Sequence, residues 1–157
     1  MKRYAEFDTF YSNSWPSLEF LRPYFFAPAG KQWFNTGGND TAGLALEGLD
    51  GTEHLEYGRG RIDVRLAMWG NPKFGVLLIW SRLGGPGGTA FSSKGDLSRL
   101  DEHVRTLHND PMPIGLFIPF EQAWQAVQEF IVTDGKLPTS IEWISNKDLP
   151  PNTFPKP

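Results

Sequence analysis

Cysteine is missing from this chain of 157 residues. Its absence excludes a disulfide framework, a thiolate zinc site, an iron–sulfur cluster and a cysteine nucleophile. Long apolar runs are missing too. The most apolar stretch, Phe74 to Trp80, has seven residues, against roughly 20 for a helix that spans a bilayer. Met1 to Tyr11 carries Lys2 and Arg3 but is interrupted by Glu6 and Asp8, so it does not read as a signal peptide. The expectation is a soluble, cytoplasmic protein not exported by a signal of its own. Net charge is also small, 15 Lys+Arg against 18 Asp+Glu, which argues against holding nucleic acid or an anionic membrane by bulk electrostatics.

What the chain has in quantity is punctuation: 17 glycines and 13 prolines, well above the usual share of about 12% for the two together. That excludes a bundle of long helices. Ile62, Val64, Leu66 and Met68 alternate with Asp63, Arg65 and Ala67, the pattern of a half-buried strand with one wet face. Gly70-Asn71-Pro72 turns the chain into Phe74 to Trp80, apolar on both faces, and the pair reads as an antiparallel hairpin. Leu44, Leu46 and Leu49 form an earlier strand, His54 to Tyr57 a weak one, and Thr89 to Ser92 a short later one.

Two segments read as helices. Leu18, Leu21 and Arg22 have helical spacing, with Asn13 or Ser14 as cap, Pro16 near the first turn and Pro23 ending or kinking the helix. The later one is stronger. Phe120, Ala123, Trp124, Val127, Phe130 and Ile131 recur at threes and fours, with Pro119 at the first helical position and Gly135 as a left-handed stop. Leu97 to Asp110 reads as a short helix or an irregular loop, Ser140 to Ile144 as a last strand. The fold class is therefore α+β, a single domain over residues 1–148 with a mainly antiparallel sheet, an N-terminal helix and a C-terminal-region helix packed on it. Residues 149–157 are a proline-rich irregular tail.

No catalytic constellation stands out. Gly84 to Gly88 lacks the Lys-Ser/Thr of a phosphate loop, and Pro86 removes an amide donor. His54, His103 and His108 lack the spacing of a helical metal pair, so no metal and no cofactor is expected. No Gly-x-Ser-x-Gly elbow is present. Paired carboxylates distant in sequence leave a small carboxylate-dependent enzyme as one alternative. Six tryptophans could line a carbohydrate or peptide groove, the other alternative, although Trp124 and Trp143 fall on expected core faces.

Charge is unevenly spread. From Trp33 to Tyr57 there are Asp40, Glu47, Asp50, Glu53 and Glu56 and no Lys or Arg, whereas Gly58 to Arg82 carries Arg59, Arg61, Arg65, Lys73 and Arg82 against Asp63 alone. Opposite charges on neighbouring strands can pair across a sheet. The other reading is an acidic surface for a basic partner.

The order Ile118-Pro119-Phe120-Glu121-Gln122-Ala123, Ala126-Val127, Glu129-Phe130, Gly135-Lys136-Leu137-Pro138 and Ile141-Glu142-Trp143 resembles the end of a bacterial polymorphic-toxin immunity family, the first-numbered of its kind, found beside secreted deaminase toxins. Phe91-Ser92-Ser93-Lys94-Gly95-Asp96 looks like that family's aromatic and Gly-Asp segment. The resemblance covers roughly residues 42–145. The N-terminal part to Asn39, the charged stretch Arg99 to Asp110 and the tail depart from it. It implies a cytoplasmic, non-enzymatic inhibitor that binds one cognate toxin, a nucleic-acid deaminase, as a 1:1 heterodimer and blocks substrate access without itself binding nucleic acid or membrane. The chain lacks the cysteine pair of a zinc deaminase and so is not the toxin. The contact residues expected on this reading are Asp40, Asp50, Glu53 and Glu56, with Lys94 and Asp96 from the loop that follows the hairpin.

Overall fold

The computed structural model describes residues 1–7, 10–26, 41–84 and 88–156. In chain order the elements are β1 (Lys2–Phe7), β2 (Phe10–Ser12), α1 (Leu18–Phe26), β3 (Thr41–Glu47), β4 (Asp63–Asn71), β5 (Gly75–Leu83), β6 (Thr89–Ser93), β7 (His103–Arg105), β8 (Pro111–Pro113), β9 (Phe117–Ile118), α2 (Phe120–Val132) and β10 (Trp143–Ser145). One antiparallel sheet runs β10-β6-β5-β4-β3-β1-β2, with β9 added against the start of β5; β7 and β8 form a separate ribbon. The α+β single-domain arrangement expected from the sequence is the one observed.

The β4–β5 hairpin follows from its turn chemistry. Asn71 Oδ1 accepts the N–H groups of Lys73, at 2.8 Å, and Phe74, at 3.3 Å, which closes the turn locally. The alternation read in β4 is real. Val64, Leu66 and Met68 are buried, and with Leu44, Leu46, Ala5, Phe7, Val76, Leu78 and Trp80 they build the sheet face that α1 and α2 cover. A second cluster, Leu77, Met112, Leu116 and Phe117, lies on the opposite face over β5, joined by the half-buried Trp69, Ile79, Leu97, Leu100 and Val104.

The helix ends differ in detail from expectation. Ser17, not Asn13 or Ser14, caps α1, accepting the Phe20 N–H at 3.2 Å. Pro23 does not end α1: it lies inside the helix, which runs on to Phe26. Proline there deprives the Glu19 carbonyl of its N–H partner, but both residues are exposed, so water can satisfy it. Pro119 is the N-cap of α2 rather than its first residue. At the other end Asp134 (φ 53°) holds the left-handed position and Gly135 (φ 90°) follows it. The Gly135 N–H donates to the Phe130 carbonyl at 2.8 Å and that of Asp134 to Ile131 at 3.3 Å, the paired bonds of a Schellman stop.

Three other readings are corrected. His54 to Tyr57 is not a strand but part of a run of turns, because polar and glycine residues leave it no face to bury. Leu97 to Asp110 is neither one helix nor irregular: a single 3-10 turn over Leu97–Arg99 is followed by the β7–β8 ribbon. The N-terminus, unassigned from sequence, supplies two strands. The tail has no regular structure beyond Asp148, yet it is docked: Thr153 is buried and its carbonyl lies 3.0 Å from His103 Nε2.

Candidate functional site: an open face of the sheet

A strand pointing alternate side chains into the core points the rest the other way; over β1, β3 and the first half of β4 they border an open trough, whereas Trp69 further along β4 packs against the second cluster. On β3 the outward set is Thr41, Gly43, Ala45 and Glu47; on β4 it begins Asp63, Arg65, Ala67. Register aligns them into cross-strand rows, Glu6 beside Gly43 beside Ala67, and Tyr4 beside Ala45 beside Arg65. The result is a trough of about 530 Å³. Its floor is small residues and its walls are Tyr4, Glu6 and Tyr11 on one side and Tyr57, Arg61 and Leu83 on the other. The Arg65 guanidinium lies across the floor, and a Cβ on Gly43 would stand 3.5 Å from its Nε and Nη2. Tyr11 and Tyr57 are about two-thirds exposed, at 67% and 65%.

One wall is held rigidly. Arg61 donates from Nε to Asp63 at 2.9 Å and lies 3.6 Å from Glu47, and the Asp63 carboxylate raises the Arg61 pKa further above its ordinary value. Asp63 is nearly buried and also accepts the Gly48 N–H at 3.1 Å. Thr52 Oγ1 accepts the Ile62 N–H at 2.9 Å and donates to the Leu49 carbonyl at 2.6 Å. The 48–62 loop is thus pinned at its base and carries Tyr57, whose ring lies 6.0 Å from the Arg61 guanidinium. Asp63→Ala strips Arg61 of its closest acceptor and Gly48 of its side-chain acceptor. It is expected to destabilise the protein by about 2–3 kcal/mol and to raise amide hydrogen exchange at Gly48 and Ile62, measured by NMR, before the rest of the sheet.

The contact residues expected from the sequence are scattered. Asp40 lies outside the described residues. Asp50, Glu53 and Glu56 share the 48–62 loop and are exposed, and each has a cation beside it. Asp50 meets Arg82 at 3.1 Å, Glu56 meets Arg59 at 3.6 Å, and Glu53 pairs with the amino terminus, which holds its carboxyl below the usual range. The segregation of charge along the chain is therefore matched by pairing in space, with Arg61 and Glu47 as a further cross-strand case. Lys94 and Asp96 are exposed near the opposite end of the sheet, about 20 Å away at roughly 3.3 Å per residue of β5. Asp96 accepts from the hydroxyl and N–H of Ser98, which keeps its carboxyl below the usual range. The sequence pattern missed the trough. The available signal was the run of small outward residues in β3 facing the wet side of β4.

The described residues contain no cluster of three or more His, Asp or Glu placed to hold a metal. Glu47 and Asp63, opposed in register, both contact Arg61, so they form a clamp. The described tryptophans do not gather along one groove: Trp80 and Trp124 are buried, Trp80 bordering a pocket beside Asp134 and Gly135, and Trp15, Trp69 and Trp143 pack against the two clusters. Three spend their indole N–H on backbone, Trp15 on Tyr4 and Ala45, Trp80 on Gly135 and Trp143 on Pro138. Among the described residues no helix is long and apolar enough to cross a membrane.

An α+β domain with its helices on one sheet face and a tyrosine- and arginine-walled trough on the other has the build of a binding protein, since these residue types dominate protein interfaces. The chain matches the family described as Immunity protein Imm1 over residues 26–145, and it belongs to that family. It is an immunity protein that binds a toxin. The match begins before residue 42 and so takes in part of what the sequence reading set aside as an N-terminal departure; β1 and β2 remain outside it. Among curated proteins and among solved structures nothing matches.

Proposed function

We propose that this immunity protein acts in the cytoplasm as a 1:1 inhibitor of a secreted nucleic-acid deaminase, blocking the entry of substrate rather than altering it chemically. The observation that carries this reading is the family match over residues 26–145. Asp50, Glu53 and Glu56, with Asp40, are the acids offered to the toxin's basic nucleic-acid cleft. The ion pairs of Asp50, Glu53 and Glu56 are exposed, and pairs of that kind contribute little, so they exchange readily for a partner's cations. Lys94 and Asp96 join the same interface, because a standard one buries about 800 Å² per partner and is roughly 30 Å across.

The test is co-expression with the product of the adjacent upstream gene. Growth is expected to be rescued and the two proteins to co-purify. The purified toxin's deamination of single-stranded nucleic acid should be inhibited, with inhibition relieved by excess substrate. Neither rescue nor complex would overturn the reading. Reversing Asp50, Glu53 and Glu56 together to lysine should slow association about tenfold at low salt and flatten its salt dependence; an unchanged rate would remove these acids from the interface.

A further inference from the structure

We propose that the trough on the open face of β1, β3 and β4 is the seat of the cognate toxin, and that its β1–β2 wall selects which toxin is accepted. This rests on the reading of the chain as a toxin inhibitor. The expected occupant is a ridge of toxin polypeptide with an apolar side chain for the floor, a carboxylate for Arg65 and a cation for Glu6.

Four observations carry it. The sheet face is divided: β7, β8 and the 3-10 turn lay the second apolar cluster over β5 and Trp69, and among the described residues the trough beside β1, β3 and the first half of β4 has no such cover. The floor is Gly43 and Ala45 with the Arg65 guanidinium laid across it, so a side chain from outside meets small residues and that one charge. Charge is left over there and not elsewhere in the trough. Arg61 is matched by Asp63 and Glu47, whereas the side chains of Arg65 and Glu6 make no ion pair or hydrogen bond among the described residues. A partner bringing the opposite charges in the same spacing gains two pairs that the described residues do not supply, and a partner with the wrong signs meets repulsion.

The fourth observation concerns origin. Gly43, Ala45, Tyr57, Arg61 and Arg65 lie within the family match over 26–145, while Tyr4, Glu6 and Tyr11 lie outside it. The floor and one wall thus fall inside the matched span and the other wall outside it. Such an arrangement fits a common mode of docking with an individual choice of partner. Tyrosine and arginine, which bring large contact area or bidentate bonding at small entropic cost, dominate the residues whose truncation weakens interfaces most.

The experiment uses the full chain and the toxin from the neighbouring gene, with binding read by calorimetry and protection by growth rescue. Ala45→Trp fills the trough from a position facing away from the core, and Arg65→Glu reverses its unpaired charge. Each is expected to weaken binding by about 30-fold or more and to impair rescue, with thermal melting within a few degrees of wild type. Tyr11→Ala with Glu6→Lys should do the same through the β1–β2 wall. Val132→Asp, on an exposed residue at the end of α2 and so on the helix-covered side, should bind as wild type. Wild-type affinity in both Ala45→Trp and Arg65→Glu overturns the proposal while leaving the inhibitor reading intact. A wild-type chain that forms no complex overturns both. Loss of binding in Val132→Asp with retention in the trough variants moves the seat to the helical face and overturns the proposal.

Discussion

Truncating Phe130 to alanine lowers the free energy of unfolding by about 3–5 kcal/mol, measured by urea denaturation, with a melting temperature lower by roughly 10 °C. The ring is fully buried where α2 meets the sheet. It stands 5.3 Å from Trp15, tilted at 38°, and its backbone carbonyl receives the Gly135 N–H that stops the helix. The loss therefore combines the apolar area removed from water with a cavity that the surrounding strands cannot close. The neighbouring anchors are rigid: the Trp15 indole is bonded to two carbonyls on β1 and β3, and the Trp80 indole to Gly135. Phe130→Leu should cost about 1–1.5 kcal/mol. A Phe130→Ala loss below about 1 kcal/mol would show that α2 moves inward to fill the space.

Gly75→Ala is expected to cost at least about 3 kcal/mol, although it removes nothing. Gly75 has φ 98°, a conformation that is strained for any residue with a side chain. A Cβ there would also collide with the Ile118 carbonyl, with Pro119 Cα next at 3.4 Å. The collision has no cheap relief, because Ile118 is held by β9 pairing with β5 and Pro119 caps α2. Strain and overpacking add. The measurable signature is a lower urea midpoint together with loss of near-ultraviolet signal from the tryptophans around α2. An unfolding free energy within about 0.3 kcal/mol of wild type would show that β9 can detach from β5 without consequence.

How far the sequence discloses this structure depends on how local the cause is. β4 is legible because its alternation is complete from Val64 to Met68, and α2 because a three-four spacing sits between Pro119 and Gly135. The stretch from Leu97 misleads for a physical reason. Leu97, Leu100 and Val104 do all reach the second cluster, but from a 3-10 turn, a loop and a strand, so the helical spacing is coincidental. β1 and β2 are missed because β2 has three residues and β1 buries only Ala5 and Phe7 fully, too few to establish a period.

The site is less legible than the fold. The charge segregation between Trp33 and Arg82 is plain in the sequence, yet the partners that answer it, Arg82 for Asp50 and the amino terminus for Glu53, are 32 and 52 residues away. Tyr4, Tyr11 and Tyr57 come from three separate segments. They converge through the pairing of β1 with both β2 and β3 and through the pinned 48–62 loop, neither of which leaves a local pattern.

The alternation along β3 and β4 has a consequence for inheritance. Leu44, Leu46, Val64 and Leu66 look inward, while Gly43, Ala45, Arg65 and Ala67, interleaved with them, look outward. The outward set can therefore change the surface offered to a partner while the inward set keeps the core packed. Substitutions in adjacent codons are thereby constrained differently, one by the packing of the core and the next by the surface it presents.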